Sequence, residues 1–95
     1  MDIQKVLIAD DEKHIREILK MYCEKEGFDV IEAADGAEAI LKVQSEKPDI
    51  LILDIMMPVM DGLEVCKQVR KMSDLPIIML TAKDEDDDRI LGLEI

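Results

Sequence analysis

Four polar residues that could do phosphoryl chemistry each follow a short apolar run in this 95-residue chain: Asp10, Asp11, Asp54 and Thr81. If the runs are parallel strands, their carboxyl ends meet at one edge of a sheet and bring the four side chains together. Grouped carboxylates repel one another unless a hard cation lies between them, and Mg²⁺ prefers oxygen ligands. The sequence therefore predicts a magnesium site at this edge of the sheet.

Asp54 is the central residue of the predicted site, because its strand lies between the other two. A carboxylate beside Mg²⁺ can act as a nucleophile toward a phosphoryl group and form an aspartyl phosphate. On this hypothesis Asp10 and Asp11 hold the metal on one side. Thr81 bonds a phosphoryl oxygen on the other side.

Each of these residues also has a purely structural interpretation. Asp10 and Asp11 could cap a helix, Asp54 could start a turn, and Thr81 could cap a later helix. We favour the functional interpretation, because open parallel sheets bind ligands at this edge. The predicted topology thus marks the edge as a site before its residues are considered.

The elements that must position these residues alternate between strands and helices. Continuous apolar runs at residues 6–9, 50–53 and 77–80 indicate strands buried on both faces, and residues 27–33 indicate a more polar edge strand. Apolar side chains at helical spacing fill the gaps: Ile15, Ile18, Leu19, Tyr22 and Cys23; Ala37, Ile40 and Leu41; Leu63, Val65, Cys66 and Val69.

Helix starts and the order of the elements complete the predicted fold. Acidic residues three apart open two of the helices: Asp35 with Glu38, and Asp61 with Glu64. Residues 83–95 indicate one further helix with an acidic start. Alternating strands and helices with right-handed crossovers predict a doubly wound α/β fold with a parallel sheet in strand order 2-1-3-4.

The composition of the chain argues against several classes of protein. The chain is long enough for one domain, and its apolar content of 48% argues against disorder. Twelve basic residues against 23 acidic ones give a net charge of −11, which opposes direct binding of nucleic acid. We find neither a membrane-span pattern nor a secretory signal, so we expect a cytoplasmic protein without a membrane partner.

The chain resembles the receiver domain of two-component response regulators, which has the CheY-like variant of the flavodoxin-like fold. The residues that carry the resemblance are 6–12 with the acidic pair Asp10-Asp11, 49–58 with the acceptor Asp54, the turn Met60-Asp61-Gly62, and Leu80-Thr81-Ala82. The last of these segments, with residues 83–85 and 89–94, is similar to regulators whose output is a winged-helix DNA-binding domain.

The resemblance implies specific roles. Asp54 would take a phosphoryl group from a sensor histidine kinase, with Asp11, Asp54 and the backbone carbonyl of Met56 as Mg²⁺ ligands and Asp10 binding through water. Thr81 would contact the phosphoryl group and shift the loop and helix that follow it, which is the switch toward the output domain. The side chains of Met56 and Lys83 would flank the site and modulate hydrolysis.

One departure from the family is expected at the C-terminal end. Receivers of this kind continue into a fifth strand and helix, and a lysine follows that strand; Lys83 follows the fourth strand and cannot take its role. We therefore expect residues 1–95 to form an incomplete receiver domain. The apolar edge from Ile77 to Leu80 would then lack a neighbour and favour self-association or strand exchange.

Two other functions remain open at this point. The first is an inactive fragment or scaffold, for which the missing lysine argues. The second is an aspartyl phosphatase of the haloacid dehalogenase type, which also places an aspartate after one strand and a threonine after another. Such enzymes need a second acid two residues after the nucleophile, where this chain has Met56. The signalling interpretation implies at most self-phosphorylation from small donors and autodephosphorylation.

Overall fold

A computed structural model describes residues 4–81 and 91–94 and has five strands and three helices in these ranges. The strands are β1 (Lys5–Ala9), β2 (Asp29–Ala33), β3 (Ile50–Asp54), β4 (Ile77–Thr81) and β5 (Leu91–Glu94). The helices are α1 (Lys13–Lys25), α2 (Gly36–Glu46) and α3 (Gly62–Arg70). None of the helices in the described ranges combines the length and the apolar composition that a membrane span requires.

The sheet has the order β2-β1-β3-β4-β5, so the predicted order 2-1-3-4 is confirmed. The first four strands are mutually parallel, and β2 lies at the edge as its polar residues indicated. Leu7 is opposite Ile31 on one side and Leu51 on the other, while Asp54 is opposite Leu80. This register brings the carboxyl ends of β1, β3 and β4 to one edge.

The C-terminal segment differs from the sequence prediction. The expected helix over residues 83–95 is wrong for Leu91–Glu94, which form β5, while residues 82–90 and 95 lie outside the described part of the chain. β5 pairs with β4 in the antiparallel direction, with Thr81 opposite Leu91 and Ile78 opposite Glu94. The predicted unpaired edge of β4 is therefore also wrong, because the same chain supplies its neighbour.

The β5 pairing has a physical reason that helical spacing did not reveal. A buried strand has backbone N–H and C=O groups along both of its edges, and these groups need hydrogen-bond partners. An antiparallel segment can satisfy them, as a parallel strand would. The four-strand sheet that the sequence predicted is thus extended by a strand of different orientation.

The main core lies between the sheet and helices α2 and α3. Alternate strand residues, among them Leu7, Leu51 and Ile77, have no exposed surface and pack with Ala39 and Val65. Helix α1 packs against β1 and β2, and its inward-facing residues are only half-buried.

Four residues of the predicted apolar stripes are exposed instead: Tyr22, Ala37, Leu41 and Leu63. Leu41 lies two residues from both Ala39 and Val43, and two residues along a helix point to nearly opposite sides. Leu63 stands in the same relation to Val65. Ala39 and Val43 lie on the buried face of α2, and Leu41 therefore lies on the exposed face.

Both predicted helix starts are confirmed. The side chain of Asp35 accepts a hydrogen bond from the backbone N–H of Glu38 at 2.8 Å, and that of Asp61 accepts one from Glu64 at 3.0 Å. Glu38 completes the first cap by accepting a bond from the N–H of Ala34 at 2.8 Å. This bond, helped by Lys42, lowers the pKa of the Glu38 carboxyl from its ordinary value.

Asp49 links the start of β3 to the start of β1 through hydrogen bonds. Its Oδ2 accepts hydrogen bonds from the backbone N–H groups of Gln4 at 3.0 Å and Lys5 at 2.9 Å. The bond from Gln4 and then that from Lys5 lower the pKa of this carboxyl, because both stabilise its charged form.

We expect Asp49→Asn to destabilise the chain at neutral pH, and the difference from the parent to shrink in acid. A lowered folded-state pKa adds stability above the unfolded-state pKa of about 3.9, and this stability is lost as the pH falls through the folded-state pKa. Urea unfolding of both proteins between neutral pH and about pH 3 measures the difference. The control is Asp29→Asn, which removes an exposed carboxylate from β2. A difference that does not depend on pH would contradict the role of the carboxylate charge.

Candidate functional site

The first part of the site is the loop between β1 and α1. Asp10 has no exposed surface, its N–H donates to the carbonyl of Ala33 at 3.1 Å, and its Oδ1 accepts from the N–H of Glu12 at 2.9 Å. The neighbouring Asp11 is exposed. The loop thus holds one carboxylate inside the protein and presents the other to solvent.

The capping interpretation of the acidic pair receives little support from this geometry. Helix α1 begins at Lys13, its N-cap is Glu12, and the Glu12 side chain makes no capping hydrogen bond. Asp10 accepts its bond from Glu12 before the helix begins. Asp10 therefore shapes the loop that leads to the helix rather than capping its first turn.

The second part of the site is Asp54 at the end of β3. Its side chain has no exposed surface, and Oδ1 accepts a hydrogen bond from the N–H of Met56 at 3.1 Å. Asp54 therefore starts a turn, as the structural interpretation proposed. The same turn holds the carboxylate between the ends of β1 and β4, so its structural and chemical roles are compatible.

The loop after Asp54 returns closely to the end of β3. The N–H of Gly62 donates to the carbonyl of Ile55 at 2.9 Å, which closes the loop at the first residue of α3. A Cβ atom on Gly62 would lie 2.6 Å from the carbonyl oxygen of Asp54, closer than atoms can approach without displacement. At the tip of this loop Val59 has a φ of 70°, a conformation that a β-branched residue rarely adopts. Strain of this kind is frequent beside functional sites.

The structure brings the three predicted acids together. Asp10, Asp11 and Asp54 each offer one carboxylate oxygen such that these three oxygens lie within 4.8 Å of one another. All three donors are hard oxygens, and two of the carboxylates are buried at the focus of the sheet edge. This donor set fits Mg²⁺, whose charge offsets the repulsion among the three carboxylates.

The remaining predicted site residues are placed less completely. Thr81 ends β4 next to the strand of Asp54, but its side chain lies outside the described part of the chain. Lys83 lies outside it altogether. The Met56 side chain is 66% exposed beside Asp54, and its proposed carbonyl ligation stays a prediction.

Sequence reasoning missed two charged residues that reach the site from outside the cluster. Arg16 on α1 donates from Nη1 to the carbonyl oxygen of Asp10 at 2.7 Å and from Nε to Oε1 of Glu32 at 3.0 Å. Helical spacing could have pointed to Arg16, which lies one turn after the acidic loop. No local pattern points to Glu32, which is 16 residues further along the chain. Only the parallel pairing of β1 with β2 brings that residue near.

A transcriptional regulator is similar to this chain over nearly the whole chain. The chain is 52% identical over 93 residues to the alkaline phosphatase synthesis transcriptional regulatory protein PhoP of Bacillus subtilis (strain 168). The match covers 97% of this chain and 39% of that regulator, so the chain spans less than half of the relative's length.

Solved structures share the fold. The chemotaxis protein CheY4 of Vibrio cholerae matches with a TM-score of 0.81 and 40% identity, over 90% of this chain and 73% of that one. The response regulator TrrA of Thermotoga maritima, solved in complex with Mg²⁺-BeF, matches with a TM-score of 0.81 and 43% identity, over 86% and 72% of the two chains.

A family model provides the broadest comparison. The model described as the response regulator receiver domain matches residues 6–95, which include the acidic cluster and all described strands except the first residue of β1. With the parallel 2-1-3-4 order and the three carboxylates at its edge, this chain belongs to the response regulator receiver domain family.

Proposed function

We propose that this chain accepts a phosphoryl group on Asp54 from a sensor histidine kinase in a Mg²⁺-dependent reaction. The observation that carries the proposal is the meeting of three carboxylate oxygens within 4.8 Å at the carboxyl ends of β1 and β3. A bound Mg²⁺ would offset negative charge on the carboxylates and on the incoming phosphoryl group. Asp11, Asp54 and the Met56 carbonyl are the proposed ligands, with Asp10 binding through water.

In the proposed transfer, an oxygen of the Asp54 carboxylate attacks phosphorus. The new O–P bond forms as the bond to the donor breaks, and the donor keeps the electron pair of that bond. The hydrogen bond from the Met56 N–H holds Oδ1 and fixes the rotation of the carboxylate. Thr81 is proposed to bond a phosphoryl oxygen, and the side chains of Met56 and Lys83 are proposed to modulate hydrolysis.

The proposed outcome is a switch in an output domain. The Bacillus subtilis relative is named a transcriptional regulatory protein, which supports an output that regulates transcription, for example through a winged-helix domain. As a receiver domain, the chain is a signalling domain rather than a classical enzyme, which argues against the dehalogenase-type phosphatase. Its own chemistry would extend to self-phosphorylation from small donors and autodephosphorylation. An incomplete domain at residues 1–95 and a cytoplasmic location stay predictions, whereas the predicted self-association no longer has an unpaired edge to rest on, because β5 pairs with β4.

Intact-mass measurement after incubation with acetyl phosphate and Mg²⁺ tests the proposed function. We expect the parent to gain the mass of one phosphoryl group, with acetate as the leaving group, and Asp54→Asn to gain none. Removal of Mg²⁺ with a chelator should abolish the gain. The control Asp74→Asn, which neutralises an exposed acid away from the cluster, should behave as the parent does.

Two results would contradict the proposal. Equal labelling of the parent and Asp54→Asn would place the phosphoryl group on another residue. A folded parent that gains no mass would favour the inactive scaffold instead. Circular dichroism on the same samples confirms that each protein is folded.

A further inference from the structure

The peptide that joins Asp10 to Asp11 is held by a charged side chain from helix α1. Arg16 donates from Nη1 to the carbonyl oxygen of Asp10 at 2.7 Å, and its side chain is only 14% exposed. Because a peptide group is planar, an anchored carbonyl oxygen also sets the direction of the N–H and Cα of Asp11. Arg16 therefore acts on the orientation of both acids without contacting either carboxylate.

The guanidinium of Arg16 is itself oriented by Glu32 on β2. Its Nε donates to Oε1 of Glu32 at 3.0 Å. Two nitrogens of the same planar guanidinium therefore bind a carboxylate and a carbonyl oxygen at once. Lys42 Nζ fixes the backbone of Glu32 by donating to its carbonyl at 2.6 Å. Lys20 Nζ also lies near Glu32, 3.8 Å from its Oε2.

A lysine in place of Arg16 would keep the positive charge but lose this double contact. The ammonium group is a compact point charge on a flexible stem, and it cannot span a carboxylate and a carbonyl in the fixed geometry of a guanidinium. Charge and geometry can therefore be separated by substitution. Keeping the charge is necessary for the test, because removal of a positive charge near three acids would by itself strengthen Mg²⁺ binding.

We propose that Arg16, held in place by Glu32, is a positioning residue that sets the Mg²⁺ affinity of the acidic cluster. The inference rests on the proposed function, because it takes the cluster of Asp10, Asp11 and Asp54 as the magnesium site. It adds a link from the edge strand β2, through α1, to the loop that carries two of the acids.

The test compares Mg²⁺ binding by the parent, Arg16→Lys and Glu32→Gln, using isothermal titration calorimetry with MgCl₂ alone. We expect both substitutions to weaken binding by about tenfold, the scale on which residues behind metal ligands act. The double variant should bind no more weakly than Arg16→Lys, because the two residues act through one hydrogen bond to Asp10. Lys20→Gln, which also removes a partner of Glu32, should bind as the parent does.

A second readout needs no metal. The ¹³C shift of the Asp10 carbonyl should move in metal-free Arg16→Lys and stay in place in Lys20→Gln, because only the first variant alters that hydrogen bond. A general loss of stability would not single out this one carbonyl. Urea unfolding gives the stability of each variant for comparison.

Parental Mg²⁺ affinity in both Arg16→Lys and Glu32→Gln would overturn the inference, as would an equal loss in Lys20→Gln. A parent that binds Mg²⁺ but gains no phosphoryl group would contradict the proposed function, while weakened binding in Arg16→Lys would still support the positioning role. A parent that binds no Mg²⁺ would overturn both.

Discussion

Asp54→Asn is expected to raise the free energy of unfolding of the metal-free chain by about 1–3 kcal/mol, although it abolishes the proposed phosphorylation. Asp10, Asp11 and Asp54 place carboxylate oxygens within 4.8 Å of one another, and two of these residues have no exposed surface. Removing one charge relieves repulsion that water screens poorly there. Asparagine keeps an oxygen for the N–H of Met56, so the turn after β3 should survive.

Urea unfolding in the presence of a chelator measures this effect. Asp74→Asn removes an exposed charge from the same acidic chain and is the matched control, with little expected gain. Added Mg²⁺ should stabilise the parent by about 1.4 kcal/mol at ten times its dissociation constant. The same addition should stabilise Asp54→Asn less, because it has lost a ligand. Equal gains in the two Asp→Asn variants without metal would refute repulsion within the cluster.

Gly62→Ala is expected to damage the site and the fold together. The added Cβ would lie 2.6 Å from the carbonyl oxygen of Asp54 and 2.7 Å from the Cα of Ile55. These are backbone atoms, which cannot rotate away as a flexible side chain could. We expect a loss of about 1–3 kcal/mol in the free energy of unfolding, as overpacking of a filled interior typically produces. Mg²⁺ binding should weaken too, because relief of the clash displaces Asp54.

Gly27→Ala separates these two effects. Gly27 has a φ of 95° and open space where a Cβ atom would lie, so alanine there costs about 1–2 kcal/mol through backbone conformation alone. Its Mg²⁺ affinity should equal that of the parent. Urea unfolding and Mg²⁺ calorimetry on both variants make the comparison. Parental Mg²⁺ affinity in Gly62→Ala would mean that the start of α3 can shift without moving Asp54.

Sequence patterns predicted the helices but not which of their residues are buried. Helical spacing located α1 to α3 correctly, but it assigned Leu41 and Leu63 to inward faces that Ala39 and Val65 occupy. Hydrophobicity alone does not distinguish these positions. Which face of a helix turns inward depends on how the helix packs on the sheet, and this packing is a property of the assembled layers.

Three features could be predicted from the sequence alone: the parallel order of the first four strands, the helix caps, and the place of Asp10, Asp11 and Asp54 at one sheet edge. These features follow from short segments and from the rules that join strand to helix to strand. Three other features are visible only in the folded chain: the antiparallel partner of β4, the hydrogen bonds of Asp49 to residues 44 and 45 positions earlier, and the contacts from Glu32 through Arg16 to Asp10. Each of these depends on backbone and side-chain groups that are distant in the chain and meet only when the sheet has formed.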